Sequence, residues 1–110
     1  MGSDTIDDSL RRLLSALQDA NEGQFLDLVT SVLAADQSTR NRFLVSNELW
    51  GGAGSIADQA GVGPDAGRQK RRQVEQALIH LGEEQARIGV LNSRTLSWVE
   101  TFKHWHRDNI

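Results

Sequence analysis

Apolar side chains return every three or four positions along most of this 110-residue chain, and that spacing predicts helices. Ile6, Leu10, Leu13, Leu14 and Leu17 form the stripe of an amphipathic helix. Thr5 and Asp8 stand where a capping box would open it, and the run Asn21, Glu22, Gly23 stands where it would stop, so a first helix is predicted over 5–20. Phe25, Leu28, Val29, Val32 and Leu33, with Leu26 beside them, predict a second over 24–36. Its valines and threonine have strand propensity, but the apolar period is not two. Asp36 or Ser38 can cap a third helix over 38–46 that carries Phe43, Leu44 and Val45.

Beyond it the pattern breaks. The stretch Trp50-Gly-Gly-Ala-Gly-Ser55 cannot continue a helix cheaply, because each interior glycine costs about 1 kcal/mol relative to alanine. Ser55 and Asp58 are spaced to cap a short helix over 56–60, and Pro64 suits a turn or a first helical position. Val74, Leu78, Leu81 and Ile88, with Ala77 and Gln85 filling the steps, predict a long helix over 68–88. Gly82 inside it implies close approach by another helix or a bulky side chain. Gly89 marks its end, and Asn92 or Ser93 can cap a last helix over 93–107. The fold class is all-α: one domain over 1–110, with four longer helices, one or two short ones and a glycine-rich crossover.

Composition narrows the function. The chain has no cysteine, which removes disulfides, thiol nucleophiles and cysteine zinc sites. The net charge of -3 lacks the cationic excess of a general nucleic-acid binder. The acidic residues are weighted to the first half, with eight acidic and four basic side chains over 1–55 against seven and eight over 56–110. No apolar run is long enough to span a membrane, and the first ten residues lack the basic start and apolar stretch of a signal peptide. These features predict a cytoplasmic protein, bacterial or phage-encoded, with no membrane partner.

Three clusters compete as functional sites. The first is the glycine-rich corner, where Gly52, Gly54 and Ser55 could offer backbone N–H groups to an anion at a helix start. It lacks the lysine of a phosphate-binding loop and the spacing of a nucleophile elbow, so a structural turn capped by Ser55 competes with ligand contact. The second is Arg68, Lys70, Arg71 and Arg72 near the start of the long helix, where cations oppose the helix dipole unless something anionic compensates. That anion is either a nucleic-acid phosphate or an Asp or Glu of the acidic amino-terminal half. The third is the last helix, which carries Leu96, Val99 and the Lys103 methylenes on one line and Trp98, Phe102 and Trp105 on another. So wide an apolar arc predicts either deep burial or a partner, with Trp50 as a neighbouring anchor or a core plug. His104 and His106, two apart, point to opposite sides of a helix, and His80 has no ligand at a useful spacing, so no metal or other cofactor is expected.

Gly51, Gly52, Gly54, Ser55 and Asp58 resemble the Gly-Gly-x-Gly-Ser segment, followed by Asp, of a loose group of small bacterial helical proteins. That resemblance implies a helical layout and carries no catalytic residue. The functional expectation is a small non-enzymatic helical protein that binds another protein or a second copy of itself, of the immunity, antitoxin or inhibitor type. Trp98, Phe102, Trp105 and Trp50 are the expected contacts. The alternative is nucleic-acid binding through Arg68 to Arg72 with the glycine corner. An enzymatic reading would need a pocket at Ser55 and Asp58.

Overall fold

A computed structural model describes residues 2–60 and 67–108, with side chains from residue 6 onward. The predicted turn at Pro64 and the side-chain cap of Thr5 lie outside the described residues. The described residues are all-α, without strands. The helices are α1 (Gly2–Asp19), α2 (Gly23–Ala34), α3 (Gln37–Leu44), α4 (Asn47–Trp50), α5 (Ile56–Gln59), α6 (Gly67–Ile88) and α7 (Thr95–Arg107).

Local chemistry explains most boundaries. At the end of α1 the Asn21 backbone turns left-handed, with φ 60°; its N–H donates to Gln18 O and that of Glu22 to Leu17 O. This paired closure satisfies carbonyls that the helix end would otherwise orphan. Gly89, with φ 77°, ends α6 in the same way, Val90 N–H reaching Gln85 O. Asp36 caps α3 by accepting from Thr39 N–H at 2.8 Å, and Ser55 caps α5 by accepting from Asp58 N–H at 3.2 Å. Some boundaries depart from expectation, among them the start of α7, which lies at Thr95 behind Arg94 with no side-chain cap where a cap by Asn92 or Ser93 was expected. Helix α1 starts at Gly2 because nothing between there and Thr5 breaks it, and the single turn α4 occupies residues assigned to the crossover because Leu49 and Trp50 both reach the core.

The core is built where α6 lies between α1 and α7. Leu10, Leu13 and Leu17 of α1 and Val74, Leu78 and Leu81 of α6 are fully buried. The inward face of α7 is neither of the two lines read from its sequence. Thr95, Val99 and Phe102 are its buried residues, at i, i+4 and i+7, and Leu96 is turned to solvent at 52% exposure. Gly82 sets that rotation: a Cβ there would stand 2.4 Å from Val99 Cγ2 and 3.4 Å from both Thr95 Cγ2 and Trp50 Cη2. Val45 and Ile88 also leave the core they were expected to join. Phe43, Leu44 and Val45 are consecutive, and steps of about 100° cannot bring all three to one side.

Gly82→Ala should lower stability by about 1–2 kcal/mol, since overpacking outweighs the gain in helix propensity. Urea unfolding of the variant, alone and combined with Val99→Ala, checks this; the pair should be less unfavourable than the sum of the single changes.

Candidate functional site

The glycine corner is held from inside the molecule. Trp50 is fully buried, and its indole N–H donates to the Gln85 side-chain oxygen at 2.9 Å. Gln85, also fully buried, returns its own N–H groups to Leu44 O at 2.9 Å and Val90 O at 2.7 Å. From the other side, the Trp98 indole N–H is shared between Trp50 O and Gly51 O at 3.0 and 3.2 Å. Ser55 is buried; its hydroxyl donates to Gly51 O and accepts from Asp58 N–H. The Asp58 carboxylate accepts from Gly54 N–H in return, and Ser55 N–H is bound to Gly52 O. The N–H groups of Gly54 and Ser55 are thus committed within the corner, and the Ser55 hydroxyl is engaged with Gly51 O and Asp58 N–H.

The basic cluster is divided by its surroundings. Arg71 reaches across from α6 to the end of α5, donating to Ala60 O at 2.6 Å and Ala57 O at 2.8 Å. The same guanidinium donates to Glu75 at 2.9 Å and lies 5.3 Å from the Phe102 ring centre. Glu75 is 4% exposed, and its second oxygen is 2.8 Å from His106 Nε2 of α7. The compensating anion for Arg71 is therefore internal, a buried carboxylate plus the carbonyl end of a neighbouring helix. Burial holds the Arg71 guanidinium below its ordinary pKa, and Glu75 acts in the opposite direction. Arg68 is exposed, and Lys70 and Arg72 are half-buried.

The aromatic line of α7 turns inward. Phe102 is fully buried, and its ring centre lies 5.2 Å from Trp98 and 5.8 Å from Trp105, both half-buried against the core. A partner surface resting on Trp50 and Phe102 would need those residues outside; here they join α7 to α6 and to the corner. The histidines are separate: His80 meets Ser9 at 2.6 Å, His104 meets Asp108 at 3.1 Å, and His106 meets Glu75. Among the described residues no group of three acidic, histidine or cysteine side chains could hold a metal, and no helix is long and apolar enough to cross a membrane.

A surface absent from the sequence reading lies along α2. Two adjoining concavities of about 260 and 330 Å³ share Leu28 and Glu48. Val32 and Phe43 lie at one end of this groove; Phe25 and Gly54 lie at the other. Helix α2 is apolar over a wider arc than one stripe: Val29 and Val32 are buried, while Phe25 and Leu28 are only half covered. The signal was present as Phe25, Leu26, Leu28, Val29, Val32 and Leu33 in succession, more apolar positions than one face can use.

Two predictions follow from these contacts. Arg71→Met should destabilise by about 3 kcal/mol, because it leaves the Glu75 carboxylate buried without its cation, and adding Glu75→Gln should recover part of the loss in denaturant melts. The backbone bond from Thr39 is the main cause holding the Asp36 carboxyl below its usual pKa. Its contribution is therefore full above the unfolded carboxylate pKa and is lost as pH falls through the folded value. Asp36→Asn keeps the cap and removes that titration, so acid unfolding profiles of the two proteins should converge at low pH.

The chain matches no known protein family, no curated protein and no solved structure.

Proposed function

We propose that this chain is a small non-enzymatic interaction protein that binds another protein, of the immunity, antitoxin or inhibitor type. Its platform is a bundle of four longer helices, α1, α2, α6 and α7, crossed by the glycine-rich corner. The observation that carries this reading is the groove along α2, where the half-covered Phe25 and Leu28 line a concavity continuous with Val32 and Phe43. Two further features support it. The Ser55 hydroxyl is spent as a helix cap, which leaves the enzymatic reading without a nucleophile, and Arg71 is spent on α5 and Glu75, which weakens the nucleic-acid reading.

The test is a pull-down with the tagged full chain beside its Leu28→Gln variant, with circular dichroism showing that helicity is kept. A single enriched protein that is lost with Leu28→Gln, and retained with Arg68→Gln and Lys70→Gln, is the expected result. Nuclease-sensitive material that leaves at modest salt, and that depends on Arg68 and Lys70 instead, would transfer the function to nucleic acid.

A further inference from the structure

A separate cavity of about 360 Å³ opens where the start of α1, the first turns of α3 and the end of α6 come together. Small-molecule sites fill about 300 to 1,000 Å³, so a space of this size takes a guest of one or two fused rings and is too small for a helix of a partner. Its wall is divided. Ile6 of α1, Ile88 of α6 and Val90 just beyond α6 form the apolar side. Ile88, which the core leaves 39% exposed, thus has a cavity beside it.

The polar side comes from one face of α3. Gln37 and Asn41 stand at i and i+4, with Arg40 between them, and all three line the cavity. The cation is already spent: one guanidinium nitrogen is ion-paired with Asp7, and another donates to Leu33 O at 3.1 Å. None of the other lining residues is charged. An anionic guest would have to compete with Asp7, and a cationic one would meet the guanidinium. The two carboxamides are uncommitted. Gln37 is exposed and Asn41 half-buried, and neither side chain has a hydrogen-bond partner among the described residues. Each presents both a donor and an acceptor. A purely apolar guest would strip water from them and leave them unpaired. A flat, uncharged guest with a donor and an acceptor along one edge satisfies the amides and lays its faces against the apolar side.

We infer that this cavity binds an uncharged planar nitrogen heterocycle that carries an amide-like donor and acceptor, the chemistry of a nucleobase. The donor and acceptor edge pairs with Asn41 and Gln37, and the ring lies against Ile88 and Val90. The site shares no lining residue with the α2 groove, so it stands apart from the protein-binding reading above.

Uracil and adenine are the probes, each titrated to millimolar concentration into the full chain with labelled isoleucine, leucine and valine methyls. At least one of them should shift Ile6, Ile88 and Val90 saturably while Ile56 of α5 stays in place. The dimethylated ring 1,3-dimethyluracil, which keeps the shape of uracil without its N–H donors, should bind roughly tenfold more weakly than uracil, the loss of about one hydrogen bond. Gln37→Leu, altered only at an exposed position, should remove part of that difference, and Gln37→Leu with Asn41→Leu should abolish it, with circular dichroism showing that helicity is kept. No saturable shift with either probe overturns the inference. So does a preference for uracil that survives the double variant, because the amides then do not read the ring. Orotate, the anionic analogue of uracil, binding as tightly as uracil overturns the uncharged class, and shifts confined to Leu28 and Val32 move the guest to the α2 groove and overturn the site. Each of these outcomes leaves the protein-binding reading, tested at Leu28, where it stood.

Discussion

The Gln85 side-chain amide is the interaction on which the rest of the arrangement depends. Fully buried in α6, it accepts from the Trp50 indole and donates to the carbonyls of Leu44 and Val90. It therefore joins the end of α3, the single turn α4 and the start of the α6 to α7 connection at one point. Each of those groups would cost roughly 1–3 kcal/mol if buried without a partner, which makes the geometry of the three segments mutually conditional. Asn92 repeats the device nearer the surface, donating to Val45 O at 2.7 Å and Asn47 Oδ1 at 3.2 Å. Helices of four and eight residues do not hold themselves in water. Here side-chain amides supply the long-range bonds that their length denies them.

A second constraint acts at the other end of α7. Arg71 and Glu75 bring charge into a part-buried seam beside Phe102, where the second Glu75 oxygen meets His106. Replacing such a network with apolar residues is often neutral for stability, but removing one member is not. Its structural contribution is orientation: the forked guanidinium fixes α5 against α6 through two carbonyls, and the carboxylate fixes α7 through its histidine. The seam and the Gln85 junction thus clamp α7 near both ends, with the close contact at Gly82 and Val99 between them.

Features governed by neighbours in sequence were legible before the structure. The stripes of α1 and α6, the closures at Asn21 and Gly89, and the caps at Asp36 and Ser55 all follow from residues near one another in sequence, and Gly82 inside a helical stripe marked the close approach there without naming its partner. What escaped depends on partners distant along the chain. The inward face of α7 begins with Thr95, a polar residue that no hydrophobic pattern selects, and its rotation is decided by a glycine thirteen residues away. The anion expected for Arg71 was a phosphate or a carboxylate of the amino-terminal half; it is instead Glu75, one turn along the same helix, and the α5 carbonyls that complete the site are backbone atoms that carry no sequence signal. The groove was missed because a half-covered leucine and a buried one are the same letter; only the relative placement of α2, α3 and α4 separates Leu28 from Val29.

The shared hydrogen bond from the Trp98 indole to the carbonyls of Trp50 and Gly51 has a mechanical consequence. A glycine-rich connection would ordinarily act as a hinge, free to move while the helices around it stay still. With its first two carbonyls fastened to α7 and its tryptophan fastened to α6, this one has lost that freedom. Any force that lifts α7 pulls on the corner as well, and through Trp50 on the Gln85 junction. The most glycine-rich segment of the chain therefore works as a rivet, and bending must be sought in other segments.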